Sequence, residues 1–418
     1  MSRSPAVPAV PALSEAFDYD VIVAGGGPGG CALAARLVQL DAQLAGRILV
    51  LDRFGFPREK PCGGGLTGHA IEAMAAVGLK LDVAHSPAPR ARVRFGAFVR
   101  EVTLPRAVNV IRREEFDASL VAQVRARGVT LVEREGVTDF TVEREGVTVR
   151  TKQRTLRARV LVGADGAASL VRKRLRPRDP VPIRLFKGEI PRPASWTREG
   201  EMLYDFTPMR AGVRGYLWVF PVHDDRLNVG LMHYPAPGQE ALSGAQLTEL
   251  LAAGLREHGL DLESGRTRGW PAWGYEPGAP VASPHVLTIG DAAGIDALTG
   301  EGIAVAMEHA LVAGDFVARA LSDGDFGFEG YRRALRAAQV GRELNLDRIL
   351  ARLLYGGRRW RQWLSLVLFD PEVLELYAAR VAGGIVLADQ KMRLWRALGR
   401  HMVRFGERRR ELERAAAG

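Results

Sequence analysis

The pattern of apolar and polar positions is most informative near the beginning of the chain. Residues 19–40, YDVIVAGGGPGGCALAARLVQL, pass from a β-rich apolar run through a glycine turn into a segment of small residues with helical character. A second apolar run at 47–53, RILVLDR, ends in an acid. A buried strand, a glycine turn, a helix and a second buried strand together predict a βαβ unit with parallel strands.

The later patterns do not continue this alternation. Residues 91–104 and much of 201–234 alternate with period two and predict strands, whereas 114–128 predicts a helix. Residues 159–175 and 285–321 each predict a strand, a turn and a helix, and the chain is predicted to be helical after about residue 325. Segments that combine strand, turn and helix therefore alternate with segments made of strands alone.

These patterns predict an α/β (α+β) fold with three parts: a Rossmann-type domain built from discontinuous segments, an inserted antiparallel β-sheet substrate domain and a C-terminal helical region. The proline-rich start argues against a signal peptide and predicts a disordered leader. The predicted boundaries are 1–17 for the leader, 18–80, 107–180 and 281–325 for the Rossmann-type domain, 81–106 and 181–280 for the β-sheet domain, and 326–418 for the helical region.

Composition excludes several classes of protein. Two cysteines cannot form a disulfide framework or a structural zinc site, and the eight histidines show no ligand spacing, so no metal is expected. The longest apolar run, at 363–369, is too short to span a bilayer. These features predict a cytoplasmic protein of a reducing compartment, and a peripheral position on the inner face of the membrane is left open as an alternative.

The net charge of +10 lies entirely in the last fifth of the chain. Residues 331–418 contain 19 Lys and Arg against 9 Asp and Glu, while the remaining residues balance. In KMRLWRALGRHMVRF at 391–405, Met392, Trp395, Leu398, Met402 and Phe405 recur at helical spacing. One interpretation is a basic amphipathic helix for an anionic membrane surface; the other is a helix packed on its own domain with an arginine-rich outer face. No nucleic-acid partner is expected.

The glycine turn carries the clearest chemical signal. Gly25, Gly27 and Gly30 form G-x-G-x-x-G, which permits a tight turn, a close approach to a pyrophosphate and close packing of helix on strand. Asp52 ends the second strand 22 residues after Gly30, where a carboxylate can bind an adenosine ribose. The competing interpretation is an α/β turn that binds no nucleotide.

Six motifs make the sequence resemble the geranylgeranyl reductase family of FAD-dependent oxidoreductases, within the p-hydroxybenzoate hydroxylase-like flavoproteins. They are DVIVAGGGPGG, LDRFGFPREKPCGGGLT, IRREEFD, GADGAASLVR, GYLWVFP and GDAAGIDALTGEGI. The P-C-G-G-G loop and Y-x-W-x-F-P, at Tyr216 to Pro221, distinguish reductases from flavin monooxygenases and halogenases, which share the other motifs. The resemblance covers residues 19 to about 321.

The resemblance implies a set of FAD contacts by motif position. Asp165 and Asp291 would lie at the sugar chain of the cofactor, and the helix that opens at Gly302 and Ile303 would face the pyrimidine edge of the flavin. The remaining implied contacts are Gly29 on the pyrophosphate loop, Arg53 beside Asp52, Cys62, Gly63 and Gly65 along the flavin ring, Arg113 toward the cofactor, and Val137 near adenine.

The resemblance also implies a reaction: saturation of C=C bonds in a geranylgeranyl or polyprenyl chain on a lipid, quinone or pigment, by hydride from N5 of the reduced flavin plus a proton. Cys62, Tyr216 and an ordered water are the candidate acids, and packing is the competing role for Cys62. Aromatic side chains of the second sheet are candidates to line the substrate channel, although alternating aromatics also form ordinary cores. They are Tyr204, Phe206, Tyr216, Trp218 and Phe220.

Two other functions remain open from the sequence. A flavin-dependent monooxygenase on a lipophilic or aromatic substrate would need the same FAD motifs, and oxygen dependence would distinguish it. A membrane-associated binding protein with a degenerate flavin fold is the non-enzymatic alternative. The electron donor is also open, with NADPH, a ferredoxin and a reduced quinone as candidates.

Overall fold

The computed structural model describes residues 16–176, 182–235, 242–262, 267–296, 298–404, 406, 408, 410, 411, 413 and 414. Residues 1–15 of the predicted leader, and Phe405 of the predicted amphipathic stripe, lie outside the described residues. The described residues form two mixed sheets with helices around them, which confirms the predicted fold class.

The described part of the chain contains sixteen strands. They are β1 (Tyr19–Ala24), β2 (Ile48–Asp52), β3 (Gly65–Leu66), β4 (Ser86–Phe95), β5 (Phe98–Val110), β6 (Thr130–Glu133), β7 (Asp139–Val142), β8 (Val147–Arg150), β9 (Thr155–Gly163), β10 (Ile183–Pro191), β11 (Glu201–Asp205), β12 (Leu217–Val222), β13 (Arg226–His233), β14 (Arg268–Ala272), β15 (Ala282–Ser283) and β16 (Val286–Thr288).

Eleven α-helices are described as well. They are α1 (Pro28–Leu40), α2 (Gly68–Ala76), α3 (Arg113–Arg125), α4 (Leu170–Leu175), α5 (Gly244–Arg256), α6 (Ile303–Asp323), α7 (Tyr331–Ala337), α8 (Gln339–Leu354), α9 (Trp360–Phe369), α10 (Pro371–Val381) and α11 (Lys391–Val403). Among the described residues, no helix has the length and apolar character needed to cross a membrane.

The first sheet has the order β15-β16-β9-β1-β2-β6, and β7 and β8 extend it beside β9. β1 pairs in parallel with β2 and β9, β16 is parallel to β9, and β6 is parallel to β2. The apolar runs of β1 and β2 are buried because α1 packs on them, and α6 packs on α1. The carboxyl ends of these strands consequently meet along one edge, where ligands bind in sheets of this kind.

The second sheet has the order β14-β10-β13-β12-β11-β4-β5-β3 and is antiparallel except for the pair β11 and β4. Alternate side chains of β12 face different cores: Leu217 and Val219 pack with α5, while Trp218 and Phe220 belong to the core shared with the first sheet. β3 lies in a segment predicted for the FAD-binding domain but pairs with β5. The predicted domain boundaries themselves remain a prediction.

The helices after α6 cover the free side of the second sheet. The rings of Phe98 on β5 and Phe369 on α9 meet edge to face with centroids 4.5 Å apart. A buried ion pair joins α8 and α10, because both guanidinium nitrogens of Arg380 donate to Asp347 at 2.6 Å. The helical region therefore forms a continuous core with the sheet.

Candidate active site

The turn between β1 and α1 is shaped by glycines. Gly25 has φ +110°, and a Cβ there would lie 2.3 Å from the carbonyl oxygen of Ala164. A Cβ on Gly30 would lie 1.9 Å from the oxygen of Gly25. Gly27 is the N-cap of α1 and Pro28 its first residue. The first turn of α1 consequently opens toward the carboxyl edge of the sheet, as an anion site at a helix N-terminus requires.

Asp52, the last residue of β2, binds the backbone of this turn. Its carboxylate accepts hydrogen bonds from the backbone N–H of Gly26 and of Phe54, both at 2.9 Å. Arg58 lies between Asp52, 3.8 Å away, and Asp117, 3.3 Å away. The predicted ribose ligand is therefore held in place by the glycine turn itself.

A cavity of about 710 Å³ runs along the carboxyl edge of the first sheet. Its wall contains the residues predicted for the nucleotide half of the cofactor: Gly25, Gly27, Gly29, Asp52, Arg53, Arg113, Val137, Asp165 and Asp291. The Asp165 carboxylate also accepts the backbone N–H of Leu170 at 2.7 Å and so caps α4. Burial raises the pKa of Asp165, and these hydrogen bonds oppose that effect.

The loop from Arg58 to Leu66 continues the cavity toward the second sheet. The Lys60 ammonium lies 3.0 Å from Asp291, which follows β16. Burial raises the pKa of Asp291, but the charge and hydrogen bond of Lys60 outweigh it, so the pKa falls below its usual value. The pair joins a loop and a strand that are 231 positions apart in the chain.

The three glycines after Cys62 let this loop lie between the sheets. Gly64 has φ +80°, and a Cβ there would lie 2.2 Å from the carbonyl oxygen of Ile111. A Cβ on Gly63 would lie 3.0 Å from the ring of Phe220. Asn228 on β13 donates to the carbonyl of Cys62 at 2.8 Å and accepts from the indole of Trp218 at 2.9 Å. The loop backbone is therefore fixed to β13, and the side chain of Asn228 links it to Trp218 of the Y-x-W-x-F-P strand.

The thiol of Cys62 has polar neighbours. Its sulfur accepts the backbone N–H of Gly64 at 3.4 Å and interacts with the guanidinium of Arg113. Arg113 is itself held by two hydrogen bonds of 2.8 Å to Asp117. Burial opposes the charge of Arg113, yet Asp117 and the Cys62 sulfur together raise the pKa of the guanidinium above its usual value.

A second cavity, of about 170 Å³, lies where this loop meets the start of α6. It is lined by Cys62, Gly63, Gly65, Gly302 and Ile303, together with Tyr216, Trp218 and Phe220. Residues of its wall also line the nucleotide cavity, among them Pro28, Lys60 and Asp291. The two spaces therefore form one channel from Asp52 to the N-terminus of α6, where the helix dipole favours negative charge.

A third cavity, of about 490 Å³, extends from this point between the second sheet and α8 to α11. Its wall is almost entirely apolar and includes Tyr204, Phe206 and Tyr216. Tyr204 and Tyr216, with ring centroids 5.4 Å apart, line both this cavity and the 170 Å³ cavity. Trp218 and Phe220 lie only on the side of the smaller cavity. An apolar chain in the large cavity would thus reach the Cys62 loop.

The residues present fit FAD. The glycine-lined N-terminus of α1 could bind the pyrophosphate, and the carboxylate of Asp52 could bind the ribose. The flat flavin ring could lie between the Cys62 loop and the start of α6. At Gly25, Gly30 and Gly64 a Cβ would collide with neighbouring backbone, so the tight path of the chain along this channel requires glycine there.

A family model described as FAD binding domain matches residues 18–325. The chain belongs to this family. It is 29% identical to menaquinone reductase of Mycolicibacterium smegmatis over 416 residues, covering 93% of this chain and 98% of the relative. It is 28% identical to digeranylgeranylglycerophospholipid reductase 1 of Methanopyrus kandleri over 339 residues, covering 74% of this chain and 83% of the relative.

Solved structures share the fold. A geranylgeranyl bacteriochlorophyll reductase-like protein of Thermoplasma acidophilum matches with TM-score 0.69 and 19% identity, covering 95% of this chain and 99% of the other. Halogenase PltM matches with TM-score 0.70 and 14% identity, covering 96% and 94%. The predicted family resemblance, the FAD cofactor and the class of FAD-dependent oxidoreductase are confirmed.

Sequence reasoning missed three side chains in this channel. Lys60 and Asn228 hold the Cys62 loop, and Glu301 lines the 170 Å³ cavity, where it accepts a hydrogen bond from Thr67. The sequence shows a polar Asn228 within an apolar strand and a Glu301 between two glycines, and both could have been recognised as candidate site residues. The pairing of Lys60 with Asp291 could not be recognised, because the two residues are distant in sequence.

Proposed function

We propose that this FAD-dependent oxidoreductase saturates C=C bonds of an isoprenoid chain carried by a lipid, quinone or pigment. The observation that carries the proposal is the apolar cavity of about 490 Å³, whose wall at Tyr204 and Tyr216 is shared with the flavin-side cavity. A long apolar chain fits this space, and a polar aromatic substrate would leave most of it unused.

The cavity would hold the chain by burial alone. Each CH₂ removed from water contributes ~0.8 kcal/mol, so a prenyl chain needs few polar contacts for affinity. The aromatic side chains where the cavities meet would exclude water from the alkene. When bound, reduced FAD supplies the hydride, and the protein must then supply one proton for each bond that is saturated.

We assign that proton to the thiol of Cys62. The thiol lies at the junction of loop and cavity, and Arg113 together with the N–H of Gly64 would stabilise the thiolate left behind. Tyr216 is less suited, because burial raises its pKa well above the usual value and its hydroxyl donates to the carbonyl of Thr299. An ordered water remains the other candidate.

The names of the relatives support the substrate class. Both a menaquinone reductase and a digeranylgeranylglycerophospholipid reductase carry names that refer to prenylated molecules, and both align with more than two thirds of this chain. The head group is left open by this proposal. For the electron donor, NADPH, a ferredoxin and a reduced quinone remain the candidates.

The test is an anaerobic single turnover. The purified flavoprotein is reduced chemically and mixed with a geranylgeranyl lipid or a prenylquinone, while flavin absorbance is followed and the product is weighed by mass spectrometry. We expect the flavin to reoxidise without oxygen, and the product to gain two hydrogens for each bond reduced.

The same experiment decides against the proposal if the flavin stays reduced with every prenylated compound. A product one oxygen heavier, formed only after air is admitted, would instead establish the monooxygenase alternative. A chain purified without any bound flavin, and unable to take it up, would favour the non-enzymatic binding protein.

A further inference from the structure

The orientation of α11 is unusual for a surface helix. Ala397 and His401 are its buried positions. Four large apolar side chains face outward and are exposed: Met392 by 71%, Trp395 by 66%, Met402 by 65% and Val403 by 87%. A concentration of exposed apolar side chains on one helix usually marks an interaction surface. We call this set, Met392, Trp395, Met402 and Val403, the outer face of α11.

Arginines of the same helix turn away from the outer face. Arg393 and Arg400 bind Glu372 on α10, and Arg400 also binds Asp370. Their side chains nevertheless keep 40% and 47% of their surface exposed. The two predicted interpretations of α11 therefore both stay predictions, and the outer face is the observation on which the proposal below rests.

Cations nevertheless border the outer face. Lys391, Arg396 and Arg404 are exposed. No acidic residue occurs from Lys391 to Val403. Apolar side chains flanked by exposed Lys and Arg are the pattern of helices that lie in the plane of an anionic bilayer surface.

The outer face also adjoins the opening of the apolar cavity. Lys391, Leu394, Trp395 and Leu398 of α11 line that cavity, as does Ile349 on α8, which is 50% exposed. Trp395 thus belongs both to the outer face and to the cavity wall. A chain leaving the cavity at this place would emerge beside the exposed apolar side chains.

We propose that the outer face of α11 docks on an anionic lipid bilayer and presents the cavity opening to it, so that a prenylated substrate enters from the membrane. Passage of substrate rests on the proposed function, whereas docking does not. The occupant is a lipid surface because the face combines apolar side chains, flanking cations and a cavity suited to a lipid chain.

The test is flotation with vesicles, without any turnover. The holoenzyme is mixed with vesicles of phosphatidylcholine alone or of equal parts phosphatidylcholine and phosphatidylglycerol. We expect it to float with the anionic vesicles and much less with the neutral ones. We also expect the bound fraction to fall as salt rises, because the exposed cations are screened.

Variants separate the outer face from the cavity. Met392→Ser/Met402→Ser/Val403→Ser changes three residues that do not line the cavity. It should weaken binding to anionic vesicles at least ~10-fold, since the three side chains would no longer bury apolar surface in the bilayer. Arg396→Glu should weaken anionic binding alone. Val142→Ser on β7, a residue that is 39% exposed, is the matched control and should float like the parent protein.

Activity links docking to substrate entry. The triple variant should reduce detergent-dispersed substrate like the parent, but substrate embedded in anionic vesicles at least ~10-fold more slowly.

Flotation of the triple variant equal to that of the parent, or no flotation of the parent, overturns the proposal. A dimer that the triple variant dissociates, with no vesicle binding, would show that a second copy covers the face. If flotation behaves as expected while no alkene is reduced, only the proposed function fails.

Discussion

Cys62 and Cys31 are the two thiols of the chain, and their surroundings differ. Cys31 is fully buried in α1, where burial raises its pKa and its sulfur donates to the carbonyl of Gly26. Cys62 is partly exposed to the flavin-side cavity and faces Arg113. The surroundings of Cys62 are those that a proton donor requires, whereas packing alone explains the position of Cys31.

Replacing Cys62 with alanine should therefore lower kcat for alkene reduction by ~100-fold or more, the usual contribution of a general acid. KM should change little, because the chain is held by the apolar cavity. The measurement is steady-state kinetics with flavin content determined for each variant. Cys31→Ala is the control, and it should retain both flavin and kcat. A Cys62→Ala enzyme with undiminished kcat would assign the proton to water.

Glu308 on α6 is a half-buried carboxyl whose pKa is raised to about 8 by loss of hydration first and by the charge of Glu301 second. Glu343 and Glu72 act in the same direction, and Arg380 opposes them. The folded protein therefore holds this proton more tightly than the unfolded chain does. The stability from Glu308 is complete below pH ~4.5 and is lost as the pH rises through ~8.

Replacing Glu308 with glutamine removes this titration. Relative to the parent, Glu308→Gln should gain ~1 to 3 kcal/mol in free energy of unfolding between pH 5 and pH 8.5. Denaturant unfolding at both pH values measures the difference. Glu145→Gln, at an exposed turn between β7 and β8, should show no such change with pH. Parallel stability curves for parent and Glu308→Gln would refute the raised pKa.

At the scale of elements, side chains and backbone of the loop from Arg58 to Leu66 bind groups outside the loop. Arg58 forms an ion pair with Asp117 on α3, and Lys60 forms one with Asp291, which follows β16. Asn228 of the second sheet binds the carbonyl of Cys62. Between these anchors the chain passes Ile111 in a conformation with φ +80° at Gly64. No L side chain fits there, so the glycine is required by the path of the loop.

Gly64→Ala should displace the loop and cost ~2 kcal/mol or more of stability, because its Cβ would meet backbone that cannot move aside. FAD content after purification should fall with it. Flavin absorbance relative to protein, together with thermal unfolding, measures both effects. Gly46→Ala is the matched control, since nothing lies within 4 Å of the added Cβ. Full flavin occupancy in Gly64→Ala would show that the loop does not position the cofactor.

At the scale of the whole molecule, the apolar cavity belongs to no single domain. One wall comes from β4, β5 and β11, and the other from α8 to α11. The buried pair of Arg380 and Asp347 keeps α8 and α10 together behind that wall. The chain length that the enzyme accepts is consequently a property of how sheet and helices pack.

Ala91→Phe, on β4 in the cavity wall, should narrow this space. We expect the enzyme to lose affinity for geranylgeranyl chains, with KM raised ~10-fold, while shorter prenyl chains are affected less. Competition between chains of different length, read by mass spectrometry, measures the shift. Ala97→Phe, at the exposed turn after β4, is the control. An unchanged preference in Ala91→Phe would place the substrate elsewhere.

The sequence by itself determined the local chemistry of the nucleotide half. Gly25, Gly27 and Gly30, followed by Asp52 at the end of the next strand, act through neighbours close in the chain, so spacing was enough to predict the turn and its ligand. The alternation along 216–220 likewise predicted one shared face for Tyr216, Trp218 and Phe220, and their rings do lie together.

Only the tertiary structure decided how these pieces meet. The pairing of Lys60 with Asp291, the bond from Asn228 to the Cys62 loop and the apolar cavity all join segments far apart in the chain. The same holds for α11, whose periodicity predicted a helix but could not show which side faces outward. Periodicity gives a helix its faces, whereas packing on the neighbouring helices α9 and α10 decides that the face with Ala397 and His401 turns inward.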